Sequence, residues 1–141
     1  MQNLYSFLLS FFFPLIVILI YFRKIIGKED SERFKEKIFI EKLKRKNKKN
    51  NLIWFHAASI GEVLSIIPLI KKIQKKKSKK EFLITTTTLS SSKLISKELK
   101  SFKNLHHRFF PVDSMVLAEH FLNNWKPKLA IFVDSEIWPN F

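Results

Sequence analysis

Beyond residue 50 the sequence alternates between two hydrophobic periods, and this alternation restricts the possible fold more than any other feature. Four short runs rich in β-branched and aromatic residues are typical of buried strands, and the segments between them have apolar residues at helical spacing. The predicted strands cover 51–57, 81–88, 105–110 and 128–133, and the predicted helices cover 62–76, 91–101 and 114–125. Strands and helices that alternate at this spacing form right-handed βαβ crossovers. The sequence therefore predicts an α/β domain with a parallel sheet covered by helices on both faces.

Polar segments follow the predicted strands. Glu62 follows the first strand, 85–92 end the second, 111–113 follow the third and 134–140 follow the fourth. Because the carboxyl ends of parallel strands meet at one edge of the sheet, these segments are expected to lie together. Ligands of open α/β sheets usually bind at that edge, so we expect the functional site there.

Glu62 has two interpretations. Ser59-Ile60-Gly61-Glu62 matches the capping box, in which the Ser59 hydroxyl accepts from the amide of residue 62 and the Glu62 carboxylate accepts from that of residue 59. A carboxylate at the end of a buried strand can also serve as a general base. The expected clustering of polar segments favours the second role. Ser59 and Gly61 open a helix that could hold a sugar carboxylate or phosphate, although capping alone selects the same residues.

Four segments carry a family resemblance. His56-Ala57-Ala58-Ser59-Ile60-Gly61-Glu62 resembles the first signature of the 3-deoxy-D-manno-octulosonic acid (Kdo) transferases. The threonine-rich segment 85–92, the strand 107–113 that closes on Pro-x-Asp, and 134–140 resemble further segments of that family in the same order. The last of these is similar to the family's Glu-Thr-Glu-[Leu/Ile]-Trp-Pro-Asn motif, with Asp134 in place of the first Glu. Leu89 and Ser91 stand where the family tends to have Pro and Gly.

The resemblance implies the acceptor-side half of an inverting glycosyltransferase of the GT-B type, in which two Rossmann-like domains face each other across a cleft. It implies transfer of Kdo from CMP-Kdo to the lipid A precursor in lipopolysaccharide biosynthesis. Glu62 would be the catalytic base, and the residues that bind substrate or support it would be Ser59, Gly61, Asp134 and Glu136. With only two glycines in the chain, no Gly-rich phosphate loop is present. The donor-binding domain is therefore expected to be missing, and the 141-residue chain to be inactive alone.

Residues 4–22 carry no charge and predict membrane attachment. A helix of this length spans about 28 Å, close to the hydrocarbon thickness of about 30 Å. Pro14, Ser6 and Ser10 also leave room for a kinked or interfacial helix that lies in one leaflet. Basic residues begin at Arg23, which predicts an inner-membrane protein whose catalytic domain faces the cytoplasm. The predicted regions are a membrane anchor helix at 1–24, a basic juxtamembrane linker or helix at 25–50, and the acceptor-side domain at 51–141.

The net charge of +14 is concentrated in two blocks, 23–49 and 71–80. Basic residues near an anionic bilayer contribute about 1 kcal/mol each, so these blocks suit lipid or a phosphorylated glycolipid, but they also suit solvated faces. Nucleic acid is not expected as a partner, because the two basic blocks contain few arginines and few interleaved aromatic residues.

No metal and no cofactor are expected. The chain has no cysteine, and His106, His107 and His120 lack a carboxylate at ligand spacing. His56 is interpreted as a hydrogen-bonded structural residue. A membrane-anchored, non-catalytic glycolipid-binding module with the same fold remains the alternative function.

Overall fold

The computed structural model describes residues 2–39, 51–76, 79–102, 104–134 and 138–141. Every predicted strand and helix is confirmed, with ends that differ by a few residues. The elements in chain order are α1 (Gln2–Ile25), a 3-10 helix (Arg33–Lys37), β1 (Leu52–His56), α2 (Ile60–Lys76), β2 (Glu81–Thr86), α3 (Leu89–Glu98), a second 3-10 helix (Leu99–Ser101), β3 (Leu105–Phe109), α4 (Met115–Trp125) and β4 (Leu129–Phe132). The part of the predicted linker from 40 to 50 lies outside the described residues.

The strands form one parallel sheet in the order β3-β2-β1-β4. Trp54 in β1 pairs with Leu83 in β2 on one side and with Ala130 in β4 on the other. A parallel pair requires a crossover connection, and α2, α3 and α4 supply these connections. The predicted parallel α/β architecture is confirmed.

The sheet is buried on both faces at its centre, in β1 and β2, whereas β4 is more exposed. Successive side chains on a strand point to opposite faces, so Phe55 packs with Val63 and Ile70 of α2, while Trp54 packs with Phe121 and Trp125 of α4. Each of these aromatic and aliphatic side chains contributes about 1.5–3 kcal/mol when fully buried. Helices α2 and α3 cover one face and α4 covers the other, as the alternating pattern predicts.

Helix α1 lies along the domain rather than projecting from it. Near its amino end the Tyr5 hydroxyl donates to the Asp113 carboxylate at 2.8 Å, and near its carboxyl end Ile20 packs with Phe34 and Ile38. The opposite face of α1 is apolar and exposed, and its largest exposed side chains are Leu4, Phe7, Leu8, Phe11, Phe12, Leu15, Ile18, Leu19, Phe22 and Ile25. Their spacing of three or four residues places them on one helical stripe.

The segment 33–38 covers the outer edge of β3. The Glu36 carboxylate accepts from the Phe109 amide at 2.9 Å and from Arg108 at 2.7 Å, and Arg33 donates to the His107 carbonyl at 3.1 Å. Exposed strand edges invite pairing with other chains. Here, side chains of the 3-10 helix bind backbone groups at the edge of β3, where another chain could otherwise pair.

His107 is neutral in the folded protein. Arg33 has no acceptor, so the His107 Nδ1 atom 3.1 Å away must accept, and Nε2 carries the proton towards the Thr86 hydroxyl at 2.9 Å. Burial, together with the positive charges of Arg33 and Arg108, lowers the pKa of His107 to about 3.

This lowered pKa makes stability depend on pH. His107 titrates near 6.5 when unfolded, so its contribution to stability is complete above that pH and is lost as the pH falls towards 3. Between about pH 7.5 and pH 5 we expect the free energy of unfolding to fall by about 2 kcal/mol because of this residue. Denaturant unfolding in non-ionic detergent measures the change. His107→Gln still offers an acceptor to Arg33 and a donor to Thr86 but does not titrate, so its loss over the same range should be smaller by that amount. Equal losses would contradict the assignment.

Candidate active site

The loops that follow the strands begin side by side at the carboxyl edge of the sheet. The Ala57 amide donates to the Thr85 carbonyl at 3.0 Å, and the Val133 amide donates to the His56 carbonyl at 3.1 Å. These bonds continue the parallel ladders by one residue past the strand ends. The start of the Glu62 loop therefore lies between the start of the threonine-rich loop and the loop that contains Asp134.

The capping box predicted around Glu62 is present. The Glu62 amide donates to the Ser59 hydroxyl oxygen at 3.3 Å, and the Ser59 amide donates to the Glu62 carboxylate at 3.1 Å. The Ala58 amide donates to the second carboxylate oxygen at 2.8 Å. The carboxylate is thus held by two backbone amides at the amino end of α2.

This geometry does not exclude a chemical role for Glu62. A carboxylate has about four lone-pair positions, and the two amides occupy two of them. Glu62 is only partly buried, so solvent or a ligand can approach it. Capping fixes the orientation of the carboxylate, which is a requirement for a general base.

Gly61 lies in the first turn of α2 without a conformational need for glycine. A Cβ atom at this position would meet only the Ser59 hydroxyl oxygen, at 4.0 Å. Glycine in a helix is less favourable than alanine by about 1 kcal/mol. The missing side chain leaves the start of the helix open, which suits the predicted binding of a sugar carboxylate or phosphate there.

Thr85, near the end of β2, supports the site through hydrogen bonds within the core. The Thr85 hydroxyl lies 2.9 Å from both the Trp54 indole nitrogen and His56 Nδ1. His56 is buried and its ring centroid lies 4.1 Å from that of Phe110. His56 is therefore a packed, hydrogen-bonded side chain within the core, as interpreted from its position.

The next threonines connect neighbouring loops. The Thr87 hydroxyl donates to the Ala58 carbonyl at 3.2 Å, and the Ser91 hydroxyl donates to the same oxygen at 3.2 Å. The Thr88 hydroxyl accepts from the Ser91 amide and caps α3. The hydroxyl-rich run thus supports the backbone of the residue that donates to Glu62.

A buried carboxylate, Asp113, joins the site to α1. It accepts from the Tyr5 hydroxyl at 2.8 Å and from the Asn140 amide at 3.2 Å, and the Ser6 hydroxyl donates to Asn140 at 2.7 Å. Burial raises the pKa of Asp113 and raises that of Tyr5 to about 12. The sequence identified the motifs that contain Asp113 and Asn140, but nothing local in the apolar run marks Tyr5 as their partner.

The remaining predicted residues lie after β4. Asp134 is exposed, one residue beyond the last ladder bond of that strand. Glu136 lies outside the described residues. Over the parts of the chain that are described, no three acidic or histidine side chains come together as a metal site requires.

Comparisons with known proteins agree on one family. A family model described as 3-deoxy-D-manno-octulosonic-acid transferase (kdotransferase) matches residues 32–141. A 3-deoxy-D-manno-octulosonic acid transferase of Rickettsia bellii is 41% identical over 99% of this chain, and one of Rickettsia prowazekii is 32% identical over 99% of it. A probable mitochondrial 3-deoxy-D-manno-octulosonic acid transferase of Arabidopsis thaliana is 36% identical over 90% of this chain. The chain covers 32%, 38% and 28% of these relatives, respectively, or about a third of their length.

The open space at Gly61 predicts the effect of a side chain there. Gly61→Ala should raise the free energy of unfolding by about 0.5–1 kcal/mol, because alanine favours the helix and meets no neighbour. Gly27→Ala is the matched control, because Gly27 has a φ of +72°, which alanine adopts only with strain. The free energy of unfolding of this variant should fall by about 1 kcal/mol. Denaturant midpoints of the two variants measure both effects. A loss of stability in Gly61→Ala would show that the fold itself needs this glycine.

Proposed function

This chain belongs to the family of 3-deoxy-D-manno-octulosonic acid (Kdo) transferases, and we propose that it forms the acceptor-side half of a glycosyltransferase. The proposed reaction transfers Kdo from CMP-Kdo to the lipid A precursor in lipopolysaccharide biosynthesis. The observation that carries the proposal is the carboxylate of Glu62, which two backbone amides hold at the carboxyl edge of the sheet within the matched range.

The donor-binding half is proposed to be a second Rossmann-like domain that completes a GT-B cleft. Two observations support this division. The chain spans about a third of the length of its curated relatives, and neither Gly27 nor Gly61 belongs to a Gly-rich phosphate loop. CMP-Kdo would therefore bind mainly to the second domain, and residues 51–141 would hold the acceptor.

In the proposed mechanism Glu62 accepts the proton of the attacking hydroxyl. The hydroxyl oxygen forms a bond to the anomeric carbon of Kdo, the bond from that carbon to the CMP phosphate breaks, and CMP leaves with the bonding electrons. The configuration at the anomeric carbon inverts. The Ala58 and Ser59 amides hold the carboxylate in place, and the open helix start at Gly61 suits an anionic group of the substrate. Asp134 and Glu136 are proposed to position substrate or Glu62.

Helix α1 is proposed to bind the cytoplasmic leaflet of the inner membrane without crossing it. The segment Leu4–Ile25 is long and apolar enough to span, with a mean hydropathy of 2.3 over an 18-residue window. A crossing helix, however, would carry Tyr5 away from Asp113 and Ser6 away from Asn140. With those bonds intact, the apolar stripe enters one leaflet and the carboxyl edge of the sheet lies beside the lipid surface. A lipid acceptor can then reach Glu62 without leaving the membrane.

The alternative function is a non-catalytic glycolipid-binding module. It accounts for the fold, the apolar stripe and the capping box. A binding module does not need a proton acceptor at position 62. The substitution Glu62→Gln therefore separates the two functions.

Glu62→Gln is expected to abolish most transfer in the complete enzyme. Glutamine keeps the length of the side chain but cannot take the proton, so kcat should fall by about two to four orders of magnitude. One of the two amides loses its acceptor, so stability should fall by only about 1 kcal/mol.

Transfer rates and thermal unfolding are measured on the same preparation. Ser114→Ala is the control, because it removes the hydroxyl that caps α4, costs about as much stability, and leaves Glu62 in place. If Glu62→Gln keeps activity within about threefold of Ser114→Ala, Glu62 is not the base and the binding-module alternative gains support.

The membrane arrangement predicts on which side the amino terminus lies. The chain has no cysteine, so a single cysteine in place of Gln2 reports its own position. In inverted inner-membrane vesicles, a membrane-impermeant maleimide should label this cysteine as readily as a control cysteine in place of Lys97, which lies exposed on α3. Protection of position 2 with labelling of position 97 would establish a spanning helix. Recovery of the protein in the soluble fraction at physiological salt would refute membrane attachment.

A further inference from the structure

Lys37 is a buried cation between α1 and the carboxyl edge of the sheet. Its ammonium group donates to the Glu29 carboxylate and, at 2.9 Å, to the Thr87 carbonyl oxygen. The other oxygen of Glu29 accepts from Arg23, in the last turn of α1, at 2.8 Å. Lys37 therefore joins the end of the membrane-facing helix to the loop that follows β2.

The same loop leads directly to Glu62. The Thr87 hydroxyl donates to the Ala58 carbonyl at 3.2 Å, and the Ala58 amide donates to Glu62 at 2.8 Å. One continuous series of hydrogen bonds thus runs from Arg23 through Glu29, Lys37, Thr87 and Ala58 to Glu62. In every hydrogen bond of the series, the donor and acceptor atoms lie within 3.2 Å of each other.

We propose that Lys37 is a positioning residue for Glu62: through Thr87 and Ala58 it holds the carboxylate in the orientation that proton transfer requires. The inference rests on the proposed role of Glu62 as the base. In this inference Lys37 acts through its neighbours and not by contact with the substrate. Because Arg23 lies in the last turn of α1, the same series ties the position of the candidate base to the docking of that helix.

The chemistry of this position is unusual for a purely structural residue. Burial lowers the pKa of Lys37, although the Glu29 carboxylate acts in the opposite direction. A buried ion pair is often no more stabilising than apolar side chains of similar volume. What an apolar side chain cannot supply is a donor to the Thr87 carbonyl. The backbone of Lys37 has a separate contact, from the Val112 amide to its carbonyl at 2.8 Å, which substitution of the side chain leaves in place.

Two variants of the complete enzyme separate positioning from fold stabilisation. Lys37→Met removes the donor and leaves Glu29 buried without this partner, so both stability and kcat should fall. Glu29→Gln combined with Lys37→Met also removes the buried charge, so much of the lost stability should return. The Thr87 carbonyl still has no ammonium donor in the double variant. Its kcat should therefore stay about tenfold below the parent, with the KM for the acceptor little changed, because small misplacements of a catalytic group are costly.

Hydrogen exchange at the Ala58 and Ser59 amides is the readout that does not depend on activity. Both amides donate to Glu62, and they should exchange several-fold faster in the two Lys37 variants. Lys97→Met is the matched control, because Lys97 is an exposed lysine on α3 that lies outside the two basic blocks. It should leave kcat, stability and exchange at Ala58 and Ser59 unchanged.

The outcomes are distinguishable. If kcat recovers together with stability in the double variant, or if exchange at Ala58 and Ser59 is unchanged, Lys37 stabilises the fold only and the inference is overturned. If Glu62→Gln remains active, the proposed function fails instead, whatever the Lys37 variants do. Faster exchange together with a persistent loss of kcat supports positioning.

Discussion

The Glu36 carboxylate is the interaction on which the rest of the arrangement depends. Its side chain is only 5% exposed and accepts from Arg33, Arg108 and the Phe109 amide. Without it, two guanidinium groups and the Phe109 amide would lose this acceptor, although Arg33 would still donate to the His107 carbonyl. An unsatisfied buried donor costs about 1–3 kcal/mol. Glu36 also fixes the 3-10 helix that places Phe34 against α1 and Lys37 beneath the Thr87 loop. One carboxylate therefore closes the sheet edge, seats α1 and supports the candidate site.

At Glu62, capping and catalysis make compatible demands. A general base needs a fixed carboxylate, and amides at a helix start fix one without enclosing it. The capping pattern in the sequence thus described the geometry correctly, and it leaves the chemical role to be decided by activity. The supporting residues follow the same logic, since the Thr87 and Ser91 hydroxyls donate to the Ala58 carbonyl and so secure the backbone that holds Glu62.

Local patterns were sufficient to predict the strands, the helices and the capping box, because each depends on residues within one turn or one strand. The contacts that organise the site depend on residues far apart in the chain. Tyr5 and Asp113 are 108 residues apart, and Glu36 and Phe109 are 73 apart. Nothing in the local sequence of the apolar run or of the basic segment indicates these partners. For the same reason the basic segment was interpreted through its charge, whereas Arg33 and Lys37 are used inside the fold.

The bonds from Tyr5 and Ser6 to the carboxyl edge have a kinetic consequence in the proposed membrane arrangement. They keep the site at a fixed, short distance from the leaflet that holds α1, so the acceptor arrives by lateral diffusion in two dimensions. The quantity that governs turnover is then the number of acceptor molecules per unit area of membrane. Diluting the acceptor with inert lipid would slow such an enzyme even when its amount per volume of suspension stays the same.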